Sequence, residues 1–170
     1  DAKARAVFET PLDQDLQPLP WRGEFEQWPG EEEAAQWGEG ARALAAEGAK
    51  ISICSRDAAS VEAAAKQLRD ETGAEVLATA CDVTNAAPIQ AWVDKTAAQW
   101  GAIDALLVNA GGPPGGLMLE MTDEQWQAAF ELTLLSSVRM IRSTVPHMTN
   151  GGSILTITSS SIKEPIERLG

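Results

Sequence analysis

The amino-acid sequence predicts an α/β fold, a truncated doubly wound parallel sheet entered through an irregular N-terminal arm, and three observations carry that reading. From Gly40 onward, short runs rich in β-branched and other apolar residues alternate with longer alanine-rich stretches of helical periodicity. The short runs are too apolar to leave one face in water, so each asks for cover on both faces, as strands of a parallel sheet do. Each run is followed by small, polar or glycine-containing residues, the chemistry a chain needs where its backbone approaches a ligand beyond the carboxyl ends of the strands.

The elements follow in order. Ala41 to Glu47 is rich in helix formers and is stopped by Gly48; Lys50 to Cys54 is then a strand. Ser60 to Glu71 is an alanine-rich helix ending near Gly73, and Glu75 to Cys81 is a second strand. Pro88 to Trp100 predicts a helix and Asp104 to Val108 a third strand. Thr122 with Gln125 three residues on spells a capping box, which opens one long amphipathic helix running to about His147. Ser153 to Thr158 is the fourth strand.

The first 37 residues read differently. Pro11, Pro18, Pro20 and Pro29 interrupt regular structure while Trp21, Trp28 and Trp37 ask for burial, so this stretch is expected to be an acidic arm docked on the domain or on a partner. Over the whole chain 13 basic residues face 25 acidic ones, a net charge of −12. That field repels phosphate backbones and anionic lipid, and no basic cluster relieves it, so neither nucleic acid nor a membrane is an expected partner. No secretory pattern opens the chain, and Cys54 and Cys81 sit in or beside apolar runs as reduced thiols would, which together predict a cytoplasmic location. One histidine, His147 at a helix end, and two separated cysteines predict no metal site. The segment Gly111 to Gly116 lacks the Lys and Ser/Thr of a phosphate loop and reads as a connector.

The ordered set Ala43-Leu44-Ala45-Ala46-Glu47-Gly48-Ala49-Lys50, Cys54-Ser55-Arg56, Cys81-Asp82-Val83-Thr84, Asn109-Ala110-Gly111 and Thr158-Ser159-Ser160 resembles the short-chain dehydrogenase/reductase family, with a closer likeness to 3-oxoacyl-carrier-protein reductases. The resemblance covers roughly residues 40 to 170, and it implies a partial Rossmann-like dinucleotide-binding domain over residues 38 to 170. It implies an oxidoreductase that moves a hydride between NADP(H) and an alcohol or carbonyl, with NAD the less favoured cofactor. Ser55 and Arg56 fall where the adenosine ribose is read, and a guanidinium there suits a 2′-phosphate. Asp82 and Val83 match the pair that contacts adenine, while Asn109, Ala110 and Gly111 match the turn beside the cofactor ribose. Gly38 and Gly40 are what stands of the glycine motif that cradles the pyrophosphate. Ser159 matches the serine that polarises the substrate carbonyl, and Thr133 stands where the family carries a proton-relaying Asn. The family also pairs subunits through the helix spanning Asp123 to His147, which implies a homo-oligomer.

Departures from the pattern point to a second class of function. The family's catalytic Tyr is expected about thirteen residues beyond Ser159, the sequence contains no Tyr, and Lys163 is too close to Ser159 to be that tyrosine's partner. Gly38-Glu39-Gly40 puts a carboxylate beside the pyrophosphate, and only Ala4 to Phe8 is apolar enough to supply the central strand the family places before it. The alternative is a non-catalytic nucleotide-binding or protein-interaction domain on the same fold.

Overall fold

The computed structural model describes residues 40–110, 112 and 116–157. The arm over residues 1–37, the strand expected at Ala4 to Phe8, and the site residues Gly38, Gly111 and Ser159 lie outside them. The described chain is α/β: helical residues 40–46 (α1), β1 (Ile51–Ser55), α2 (Ala58–Thr72), β2 (Val76–Ala80), α3 (Ala86–Trp100), β3 (Ala105–Val108), a 3₁₀ turn at Met118–Glu120, α4 (Asp123–Phe130), a π-helical turn (Glu131–Leu135), α5 (Ser136–Thr144), a 3₁₀ turn at Val145–His147, and β4 (Ser153–Thr156). Two compact units divide these residues, one running to Ile53 and resuming over Ala59–Ala78, the other comprising Cys54–Ala58 and everything from Thr79 onward.

The first unit is built on small side chains. Val61, Ala65 and Leu68 recur at four- and three-residue spacing on α2, the stripe that an amphipathic helix presents to a core. Ala65 and Leu68 pack with Ala45 of α1, Ile51 of β1 and Val76 of β2. Ile51 N donates to Glu75 O at 2.9 Å, and six residues further along the second strand Cys81 N donates to Ser55 O at 2.8 Å. Pairing that advances in the same direction on both strands is parallel, as the alternating order of the sequence requires.

The second unit has the larger core. Ile89, Trp92, Val93 and Thr96 line one side of α3 at helical spacing, and the first three pack with Cys81, Leu106, Val108 and Met140. Ile89 is fully buried, and burial of a side chain of that size stabilises by roughly 1.5–3 kcal/mol. The helix begins two residues before Pro88, since proline in a first turn loses no intrahelical bond there, and it stops at Gly101, whose φ of 87° lets its N–H return to Ala97 O at 2.7 Å. β3 and β4 run parallel in a register that sets Ala105 opposite Ser153 and Val108 opposite Thr156. Just before β4, a Cβ on Gly152 would stand 2.9 Å from the backbone oxygen of Asp104, closer than a side chain comes, and 3.1 Å from Met148 Sδ, a tight contact with a side chain that can shift.

Two expectations need correction. The single helix expected from Thr122 to His147 starts as predicted, with Gln125 N donating to Thr122 Oγ1 and Thr122 N to Gln125 Oε1, but it widens into a π turn at Glu131–Leu135. The widened turn changes which carbonyls meet i+4 amides, and hydroxyls of the same segment step in. Thr133 Oγ1 donates to Ala129 O at 2.7 Å, Ser136 Oγ to Leu132 O, and Ser137 Oγ to Thr133 O at 3.0 Å. The second correction concerns cover on both faces: every residue of β4 is exposed, Leu155 at 60%, in a described sheet where β3 is the strand beside it.

Candidate functional site

The residues at the carboxyl ends of β1, β2 and β3 all belong to the second unit. After β1, the Ser55 hydroxyl accepts from Asp57 N at 3.2 Å, closing a tight turn that leaves the Arg56 side chain on the surface. Serine does this because its short hydroxyl can reach the amide two residues on.

After β2 the chain closes on Asp82. Its Oδ1 accepts from Thr84 N at 3.0 Å and from Thr84 Oγ1 at 2.8 Å, and its Oδ2 accepts from Asn85 Nδ2 at 3.0 Å. An aspartate followed two residues later by a hydroxyl residue makes this turn, in which the side chain substitutes for a backbone acceptor. The Thr84 amide and hydroxyl, then Asn85 and the Arg56 cation, outweigh the opposing effect of burial and hold the Asp82 carboxyl below the usual aspartate range. The Arg56 cation after β1 thus acts by charge on the carboxyl after β2. Asn85 spends its side chain on Asp82 and leaves the N-terminus of α3 without a side-chain cap.

Beneath these turns lie the two thiols, both free. Burial first, then the neighbouring Cys81, pushes the Cys54 thiol up to about 12. Cys81 is raised as well, chiefly by burial. They act as core atoms, not as nucleophiles.

Asn109 and Ala110 follow β3 and are half-buried, and Val83 is half-buried against the core. Gly40 opens α1 in the first unit, and a Cβ there would meet nothing within 4 Å, so the described chain does not itself demand glycine at that position. Thr133 sits in the π turn, exposed, with its hydroxyl committed to Ala129 O and its carbonyl to Ser137. No group of three or more His, Cys, Asp or Glu gathers among the described residues, and no helix among them is long and apolar enough to cross a membrane.

Three further residues shape the site and escaped the sequence reading. Asn85 could have been found from its place beside Asp82 and Thr84. Glu131 and Arg139 could not, because their connection to the site is made 55 residues along the chain: Arg139 Nη1 donates to Thr84 O at 2.6 Å and lies 2.6 Å from Glu131 Oε2.

The profile of the family described as enoyl-(acyl carrier protein) reductase matches residues 38–168. The chain belongs to the short-chain dehydrogenase/reductase family. Among its relatives is the granaticin polyketide synthase ketoacyl reductase 1 of Streptomyces violaceoruber, 36% identical over 115 residues that make up 68% of this chain and 40% of that one. An NAD-dependent oxidoreductase of Mycobacterium tuberculosis is 37% identical over 92 residues, covering 52% of this chain and 34% of the relative. Among solved structures, L-sorbose reductase from Gluconobacter frateurii in complex with NADPH and L-sorbose superposes with a TM-score of 0.72 at 32% identity, covering 76% of this chain and 50% of that one. An actinorhodin polyketide ketoreductase variant with NADPH gives 0.72 at 30% identity, covering 78% and 52%. The chain thus spans about half or less of the length of these family members, and the Rossmann-like fold expected from its sequence is the fold it shares with them.

Proposed function

We propose that the protein is an NADP(H)-dependent oxidoreductase that moves a hydride between the nicotinamide cofactor and a small alcohol or carbonyl compound, with a 3-oxoacyl group as the favoured substrate class. The observation that carries the reading is the closed Asp82 turn at the end of β2, with the Arg56 cation at the end of β1 near enough to act on its carboxylate by charge. The chemistry of the donors and acceptors fits the adenosine end of such a cofactor. Asp82 has about four acceptor positions and three are taken by its own turn, which leaves one for an exocyclic amine. Arg56 offers a planar cation to a 2′-phosphate, which NAD lacks. Ser55 fixes the turn that carries Arg56, Val83 offers an apolar surface to the base, and Asn109, Ala110 and Gly111 border the ribose. By the resemblance to the family, Gly38 and Gly40 are assigned to the pyrophosphate and Ser159 to the substrate oxygen. When bound, the cofactor supplies the hydride. Relatives named for ketoacyl reduction and neighbours in complex with NADPH support this choice, and one relative named as NAD-dependent marks NAD as the competing cofactor.

The assembly in this reading is a homo-oligomer formed through α4, the π turn and α5, whose Phe130, Leu134 and Val138 are about half exposed; the location is cytoplasmic. A second reading, a nucleotide-binding or interaction domain without turnover, is favoured by Thr133. The hydroxyl that stands in for the family's relaying Asn is already donated to Ala129 O, and its carbonyl already accepts from Ser137. Calorimetric titration of the chain with NADPH and with NADH tests the first reading. NADPH is expected to bind at least about tenfold more tightly, the worth of a charge-assisted contact, and Arg56→Leu to erase the preference. Equal affinities, or a preference that survives Arg56→Leu, overturn the assignment.

A further inference from the structure

The turn after β2 is held from outside as well as from within. Arg139, on α5, donates from Nη1 to the carbonyl of Thr84, and Glu131 in the π turn sets a carboxylate oxygen against the same nitrogen. That oxygen is shielded from water and has no aligned hydrogen bond of its own, so charge alone pairs it with the guanidinium. Both side chains are less than a third exposed, where an ion pair is screened less than on an open surface. A cleft of about 430 Å³ lies beside this tie, lined by Thr84, Asn85, Ala86, Ala128, Glu131 and Arg139.

A chain of contacts therefore runs from the π turn to the adenine-reading carboxylate. Glu131 holds Arg139, Arg139 holds the Thr84 carbonyl, and the amide and hydroxyl of Thr84 hold Asp82. The Thr84 peptide carbonyl fixes where Asn85 follows, and Asn85 holds the second oxygen of Asp82. Thr133, the residue in the relay position, lies in the same π turn as Glu131.

We propose that Arg139 is a positioning residue: it holds the turn over Asp82–Asn85 in the shape that reads the adenine end of the cofactor. This rests on the oxidoreductase reading above. The residue touches no part of the cofactor in this account and acts only through Thr84. Its removal is felt at the adenine end and not at the nicotinamide end.

The test uses the full chain with Arg139→Met and Arg139→Lys, and two probes, adenosine 2′,5′-bisphosphate and reduced nicotinamide mononucleotide. Arg139→Met is expected to weaken the bisphosphate about tenfold and leave the mononucleotide unchanged, the loss expected for one hydrogen bond from a charged donor. Arg139→Lys keeps a cationic donor and is expected to recover part of that loss; a merely structural defect would lower both affinities together. Amide exchange at Thr84 and Asn85 is read in parallel and is expected to quicken in Arg139→Met while the amides of α3 keep their rates. Equal loss for both probes, no loss for the bisphosphate, or unchanged exchange at Thr84 and Asn85 overturns the proposal. A wild-type chain that binds neither probe refutes the oxidoreductase reading itself, and the exchange rates then decide alone whether Arg139 holds the turn.

Discussion

Replacing Asp82 separates the two things its carboxylate does, shaping a turn and carrying a charge. Asp82→Ala removes three acceptor contacts, two on Oδ1 and one on Oδ2. Each is worth about 1 kcal/mol net, but the turn is half-exposed and water replaces part of what is lost, which brings the expected cost to about 1.5 kcal/mol. That corresponds to roughly tenfold more frequent opening. Asp82→Asn can turn its amide oxygen toward Thr84 and keep both Oδ1 contacts, losing only the one from Asn85, so its cost is expected at about 0.5 kcal/mol. Native-state amide exchange at Thr84, whose N–H is one of the bonded donors, reads both numbers, and urea denaturation checks that the rest of the chain is intact. The carboxyl is held low in the folded chain, so its contribution is present above the unfolded value of about 3.9 and is lost as pH falls through the lower folded value. Asp82→Asn should lack that acid-side loss. If Asp82→Asn exchanges as fast as Asp82→Ala, the charge and not the acceptor geometry builds the turn, and the reasoning fails.

Two further outcomes follow from burial. Ile89→Ala, at a fully buried position in the larger core, should lower stability by about 3 kcal/mol, seen as an earlier urea midpoint; a cost under about 1 kcal/mol would mean the core closes around the gap. Cys54, its thiol pushed up to about 12, should resist iodoacetamide at pH 8 in the folded chain and react readily in urea, and its contribution to stability should fade as pH rises from about 9 toward 12; rapid alkylation of the folded chain at neutral pH would contradict its burial.

What the sequence made legible was local. The capping box of Thr122 and Gln125 could be read because both halves of the interaction lie within one turn of helix, and the Arg56 and Asp82 turns because each follows an apolar strand and is closed by a neighbour two residues away. That the strands run parallel was legible from their alternation with helices; which strand lies beside which was not. The π turn was not, since nothing in a hydrophobic period marks one wider turn; the only trace is the run of hydroxyl residues Thr133, Ser136 and Ser137 that fills its carbonyls. Arg139 was out of reach for a different reason: an arginine on a helix surface looks like a solvated charge until the fold brings Thr84 to it across 55 positions. The exposure of β4 was missed because strand composition reports how much cover a strand wants, not whether neighbours supply it.

Gly152 turns a stretch that looks like filler into a point of strict intolerance. Any side chain there must displace the backbone oxygen of Asp104, the same atom that accepts from Ser153 N at 2.9 Å and fastens the first rung of the β3–β4 ladder. Moving that oxygen lets β4 slide against β3, and a slip of one position exchanges its two faces. In a saturation scan of this chain, the deepest trough between His147 and Ser153 should fall at residue 152, and the damage should be read not as lost stability alone but as a sheet assembled with Ile154 and Leu155 trading places.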